Sequence, residues 1–283
     1  MPDFWIIGPI AWDLALYVDR IPASGHFVQA GESVERPGGT GANVAVALSQ
    51  AGGRVNMVGY VGADAAGRNM TKTLTAAGVD VEHVQVLPGH TSSVVLLIEP
   101  NGERTIIGIH TDLLHTITIP TDAVAPGDIV YFAAWHDSFT TAAQTMAAAG
   151  ALVTSVPPGT TPAMRYLIGS RNDFSAIPED ATAIVTEGAK GATVYSSGKS
   201  DHYPSIPTDA VDTTGAGDAF AAGFLWGIGN KGTLTEGVNL GLAWAAATVQ
   251  TKSSMLNATS ASKAGVSDPC HRESPSNPLF HTP

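Results

Sequence analysis

Several features that would each point to a function are scarce or missing in this chain. There is one cysteine among 283 residues, Cys270, so no disulfide can form within the chain and a disulfide-stapled secreted scaffold is excluded. Basic residues are few: 14 Lys and Arg stand against 25 Asp and Glu, a formal net charge of −11. So acidic a protein is a poor partner for nucleic acid or for an anionic membrane surface. No apolar run reaches the ~18 residues that span a bilayer. The N-terminus Met1-Pro2-Asp3-Phe4 has no basic region ahead of an apolar core, which argues against a signal peptide. A cytoplasmic protein with neither nucleic-acid nor membrane partners is expected. Neither HExxH nor CxxC occurs, and His110, His115 and His136 lack the spacing of zinc ligands. The absence of GxxxxGK[ST] excludes a P-loop enzyme.

What is present is a 44% share of hydrophobic residues, enough for a sizeable core, and an excess of glycine, 31 residues. Glycine lets backbone approach a ligand closely. Short β-branched runs alternate with Ala-rich helical stretches. Strands are expected at 4–10, 55–61, 128–133, 151–156, 166–168, 183–186 and 193–195, and helices at 42–51, 65–77 and 219–228. That alternation predicts a three-layer α/β/α fold with a mostly parallel central sheet. Two stretches break it. Residues 14–36 alternate without a convincing helix, and 94–98 and 105–109 flank Pro100-Asn101-Gly102-Glu103, a hairpin signal. They predict a small β-sheet lid over the site, or else a peripheral dimerisation ribbon. One α/β domain over 1–256 is expected, with a polar Ser/Pro-rich tail over 257–283.

The segment richest in chemistry is Asp212-Thr213-Thr214-Gly215-Ala216-Gly217-Asp218, ahead of an apolar helix. A turn of small residues entering a helix exposes unpaired backbone N–H groups, which together with the helix dipole suit a phosphate. A carboxylate beside such a site repels its ligand unless it is needed, so Asp218 reads as a general base taking a proton from an attacking hydroxyl. The plain alternative is a first-turn helix carboxylate. The dipole contributes only ~0.3–1 kcal/mol, whereas a positioned base adds ~10²–10⁴-fold. A second glycine-rich helix start, Gly38-Gly39-Thr40-Gly41-Ala42-Asn43, offers an amide side chain to a polyol. Asp13 falls just past the first strand, where open α/β sheets bind ligands. It reads either as an acceptor for sugar hydroxyls or as a turn cap. Gly227 to Gly232 matches GxGxxG but follows a helix, which makes a dinucleotide site a remote reading.

These segments resemble the ribokinase-like (PfkB-type) carbohydrate kinases. Residues 212–218 look like that family's C-terminal signature, and 38–43 with 59–64 like its N-terminal one. Gly102-Glu103-Arg104-Thr105 resembles its second lid strand, and 186–191 its adenine-side loop. The resemblance covers roughly residues 4–255. It implies ATP and Mg²⁺, a hydroxymethyl acceptor on a sugar or nucleoside, Asp218 as base, and the amides of Gly215, Ala216 and Gly217 as anion hole. It further implies Asp13, Gly39 and Asn43 as substrate ligands, and Thr186, Gly188, Gly191 and Thr214 at the ATP site. The lid itself allows two readings, closure over its own cleft or a homodimer through a second copy's lid.

Two departures stand out. The family's Asn-x-x-Glu motif, which organises the Mg²⁺ water shell, is matched by Asn172, but Ser175 replaces the Glu and only the adjacent Asp173 could substitute. A catalytically impaired sugar- or nucleotide-binding homologue is the alternative this change raises. Members that bind a monovalent cation use the carbonyl-rich region around Asp212 and Thr214 plus a later Gly-Ala loop. Here Lys252-Ser253-Ser254-Met255 replaces that loop, which argues against activation by K⁺.

Overall fold

Period-two alternation within the first strand already shows how the sheet is covered. In β1 (Asp3–Ile7), Phe4 and Ile6 face one apolar cluster while Trp5 and Ile7 face another. The computed structural model describes residues 1–157, 164–253 and 255; the expected tail lies outside them. After β1 come β2 (Ala11–Tyr17), β3 (Glu32–Gly38), α1 (Thr40–Gln50), β4 (Arg54–Gly62), α2 (Ala65–Ala76) and β5 (Val84–Leu87). The next elements are β6 (Ser92–Ile98), β7 (Arg104–Ile109), β8 (Ile129–Phe132), α3 (Thr140–Ala148), β9 (Leu152–Ser155) and β10 (Tyr166–Ser170). The described chain ends with β11 (Thr182–Thr186), β12 (Ala192–Ser196), β13 (Lys199–Tyr203), α4 (Ala216–Gly229) and α5 (Leu234–Thr248).

Nine strands form one sheet in the order β13-β12-β11-β10-β9-β8-β1-β4-β5, paired in parallel except for the antiparallel β11–β12 and β12–β13 pairs. Helices α1, α2, α4 and α5 contribute to the apolar cluster on one face. The other face is thinner, with α3 and short 3₁₀ turns over Trp5, Ile7, Val130 and Phe132. From β1 the chain winds outward through β4 and β5, then returns to β8 on the other side of β1. The β1/β8 boundary is therefore the point where the winding reverses and ligands bind in open α/β sheets.

The stretches that break the α/β rhythm form a second, four-stranded sheet, ordered β3-β2-β6-β7. Its outer strand β7 is exposed along its whole length. Two local expectations shift, one in the first strand and one in the use of glycine. The first strand ends at Ile7 instead of running to residue 10: Gly8 packs where a Cβ would press on Ala133 and Gly41, and Pro9 has no N–H for the ladder. No α-helix joins β10 to β11, only a 3₁₀ turn at Arg171–Asp173. Part of the glycine excess serves packing and not ligands: a Cβ on Gly223 or Gly227 would meet the backbone of Gly241 or Gly237, so α4 and α5 touch through glycine. That is the use of Gly227 in the formal GxGxxG match.

Candidate active site

Two helix N-termini and the base of the small sheet meet at this reversal point. Strand β3 runs directly into α1: Gly39, at φ +91°, caps the helix, and Thr40 Oγ1 donates to the carbonyl of Ala133 at 3.1 Å, just past β8. Opposite, Gly215 at φ 78° begins α4. A left-handed residue there favours glycine and turns the loop so that the Ala216 amide donates back to the Thr213 carbonyl at 3.3 Å, while the Gly217 amide that follows has no such backbone partner among the described residues. Space over Gly217 is open. Asn43 Nδ2 donates to Asp218 Oδ2 at 2.7 Å, joining the first turns of the two helices.

Asp218 is buried. Burial pushes its carboxyl up to about 7, although the Asn43 hydrogen bond and the Arg104 charge pull it down; the charge of Asp13 adds to the rise. Asp13, on β2, is likewise pushed up by burial, to about 6, against the lowering charge of Arg36. Its carboxylate lies over Gly38, two residues along β3 from its ladder partner Arg36, where a Cβ would overlap it. Asp13 Oδ1, Asn43 Oδ1 and Thr214 Oγ1 are all buried without a hydrogen-bond partner among the described residues. Orphaned acceptors in native proteins are uncommon and ask for a ligand or water.

The loop before α4 is fastened from three directions. Asp212 Oδ1 accepts from the Thr214 N–H at 2.8 Å, and Asp212 Oδ2 from Arg36 Nη1 at 2.9 Å. Burial of Asp212 opposes its charge, but the Thr214 and Arg36 hydrogen bonds prevail and hold it below the usual carboxylate range. From the small sheet, Arg104 Nη1 donates to Thr213 Oγ1 and Thr213 Oγ1 to the Gly102 carbonyl, both at 2.8 Å. Arg36, Arg104 and Thr213 are the members of the site that sequence reasoning missed. The Gly102-Glu103-Arg104-Thr105 hairpin was a signal for Arg104; nothing local marks Arg36.

The remaining expected residues line the same C-terminal edge of the sheet, since they follow parallel strands, but they share no contact with Asp218. Thr186 ends β11, and its Oγ1 donates to the Gly169 carbonyl at 3.3 Å. Gly188 opens a 3₁₀ turn at φ 58° with free space beside it. Gly191 is required by packing, because a Cβ would overlap the Tyr203 carbonyl. Asn172 is exposed in the turn after β10. Asp173 is turned back onto Ser170, accepting from its backbone N–H at 2.6 Å and its hydroxyl at 2.7 Å. Its charge and that of Asp218 both raise the buried Tyr131 phenol, chiefly lifted by desolvation. His136 accepts from the Ser138 N–H and Trp135 packs edge-on to Phe132 at 5.3 Å, so both are engaged locally. Among the described residues no three His, Cys, Asp or Glu side chains gather to hold a metal directly, and no helix is long and apolar enough to cross a membrane.

A doubly wound sheet with a buried carboxylate and a phosphate-compatible helix start at its reversal point has the build of a group-transferring α/β enzyme. The pfkB family carbohydrate kinase model matches residues 1–169 and 171–261. An ATP-dependent ribose-1-phosphate kinase of Halopiger xanaduensis is 31% identical over 245 residues, spanning 77% of this chain and 82% of the relative. A fructokinase of Klebsiella pneumoniae is 29% identical over 277 residues, 81% of this chain and 85% of the relative. The crystal structure of a Cryptococcus neoformans ribokinase in complex with ADP superposes with a TM-score of 0.76 at 21% identity, covering 90% of this chain and 96% of that one. The chain belongs to the pfkB family of carbohydrate kinases. It is a phosphotransferase with an alcohol group as acceptor.

Proposed function

We propose that the protein transfers the γ-phosphate of ATP to a hydroxymethyl group of a sugar or nucleoside, with Asp218 as general base. The observation that carries this reading is the convergence of the raised Asp218 carboxyl with orphaned acceptors on Asp13 and Asn43 beside the α4 N-terminus. A base with a pKa near operating pH is protonated and deprotonated with comparable ease. Asp13 and the Asn43 carbonyl accept hydrogen bonds from acceptor hydroxyls, each charge-assisted bond contributing ~1.5–3 kcal/mol. Gly39 gives the substrate access to backbone at the α1 start. Asn43 Nδ2 holds one oxygen of Asp218, and the other takes the proton of the attacking hydroxyl. The amides of Gly215 and Gly217 face the charge that develops on the transferred group, with Thr214 Oγ1 beside them, while the expected Ala216 amide is taken up by the Thr213 carbonyl at 3.3 Å. Thr186, Gly188 and Gly191 form the adenine side.

Mg²⁺ fits only as an ion carried on the phosphates, its water shell met by Asn172, and when bound it spreads the phosphate charge. Ser175 contributes no carboxylate there, and Asp173 is committed to Ser170. A second copy of the chain would pair along β7, where Ile106 and Ile107 are half exposed on an unpaired edge.

The test is ATP turnover against a panel of pentoses, hexoses, sugar phosphates and nucleosides. Phosphorylation of one acceptor supports the reading. Binding without any transfer overturns it in favour of an impaired homologue.

A further inference from the structure

The loop that carries the anion-binding amides has a buried anion beneath it. The Asp212 side chain has no exposure and that of Arg36 is 7% exposed. One guanidinium nitrogen, Arg36 Nη1, meets both the Asp212 carboxylate at 2.9 Å and the Lys252 main-chain carbonyl at 2.6 Å. Nearby, the Val211 and Asp212 amides donate to the Val249 carbonyl at 2.7 and 3.2 Å. One anionic oxygen and a carbonyl oxygen, drawn from the residue-212 loop and the segment after α5, are ligands suited to a dehydrated monovalent cation. Here a protein nitrogen already stands between them. The monovalent-cation site of those family members that have one therefore does not fit this chain.

We infer that Arg36 is the built-in cation of this kinase: a positioning residue that neutralises Asp212, pins the phosphate-binding loop to the end of α5, and makes turnover indifferent to K⁺. The inference rests on the phosphoryl-transfer reading above. Asp212 needs such a partner, because a buried carboxylate without one is strongly disfavoured. An unneutralised charge two residues from Thr214 would also repel the incoming phosphate. Arginine suits the task better than lysine because its guanidinium stays charged when buried; of its three nitrogens only Nη1 is engaged, Nε and Nη2 being buried without a partner among the described residues. Its place in the fold extends the effect. Arg36 stands directly across the β2–β3 ladder from Asp13, whose carboxyl its charge lowers. One side chain thus touches the loop expected to hold phosphate and acts on the carboxylate expected to hold the acceptor. Lys252 secures the same junction from outside, pairing with Glu32 at 2.6 Å and lying over the Tyr17 ring at 4.7 Å.

The experiment compares wild type, Arg36→Ala and Arg36→Lys in choline, potassium and guanidinium chlorides at constant ionic strength, reading kcat, KM and Tm. Wild-type kcat and Tm are expected to be equal in choline and potassium. Arg36→Ala should lose about 10²-fold in kcat in choline, the scale of an ångström-level misplacement. It should recover kcat and Tm selectively with K⁺ or guanidinium, and Arg36→Lys should fall between. A wild-type rate or Tm that rises selectively with K⁺ overturns the inference. So does an Arg36→Ala protein that behaves as wild type, or one whose losses no cation restores. If Arg36→Ala does not fold, the wild-type and Arg36→Lys arms decide. If no acceptor is phosphorylated, the kinase reading fails separately, and the Tm comparison still decides the role of Arg36.

Discussion

Asn43 and Asp218, 175 residues apart in the chain, share a hydrogen bond of 2.7 Å that ties the first turn of α1 to the first turn of α4. The bond restrains the carboxylate and opposes the upward push of burial. Removing it with Asn43→Ala should raise the Asp218 pKa above about 7. The acid limb of the kcat/KM pH profile, which reports the free enzyme, should then move to higher pH. An unmoved limb would dissociate Asn43 from the base.

The raised carboxyls also make a statement about stability. Asp218 and Asp13 bind protons more tightly in the folded chain than in the unfolded one, at about 7 and about 6 against an ordinary 3.8. Their contribution is therefore fully present below pH ~4 and is lost as pH rises through ~6 and ~7. Asp218→Asn, which cannot ionise, should be the more stable protein at and above pH 7, seen as a higher Tm. That gain should shrink as the pH falls towards 4, which Tm scans of both proteins across pH will check.

Gly38→Ala tests the Asp13 assignment from outside the acceptor site. The added methyl overlaps the Asp13 carboxylate, so KM for the acceptor should rise, with kcat changing less. Asp13→Ala should do the same more strongly, by ~10-fold or more for one lost charge-assisted bond of ~1.5–3 kcal/mol. Steady-state kinetics with varied acceptor separates the two parameters.

Asn172→Ala should raise the Mg²⁺ concentration at half-maximal rate by about tenfold, the scale of a lost outer-sphere contact. Asp173→Ala should not reproduce that rise, because the Asp173 carboxylate is spent on the Ser170 cap. A Mg²⁺ titration of turnover distinguishes them.

How much of this could be read beforehand depended on range. The α4 start was legible because glycines, a small-residue turn and a first-turn carboxylate lie within seven residues. The lid hairpin was legible for a similar reason, a turn between two β-branched runs. Strand β13 escaped notice because Lys199–Tyr203 is polar and exposed along most of a sheet edge, leaving no apolar alternation to detect. The Arg36–Asp212 pair was illegible: 176 residues separate its members, and an arginine before Pro37 carries no local mark of burial. Only the closing of β3 onto the residue-212 loop reveals it. Likewise Asp13, Asn43 and Asp218 were each singled out, but their mutual geometry is a property of the fold.

The central claim is that Asp218 takes the acceptor's proton, and Asp218→Asn tests it most directly. With a phosphorylated acceptor in hand, kcat of the variant at saturating substrates and the acceptor's dissociation constant are measured together. A positioned base is worth ~10²–10⁴-fold, so the account predicts a fall in kcat of at least ~10²-fold with acceptor affinity nearly unchanged. A variant that keeps kcat within about tenfold of wild type would contradict it, since ~10²-fold is the least a base should contribute.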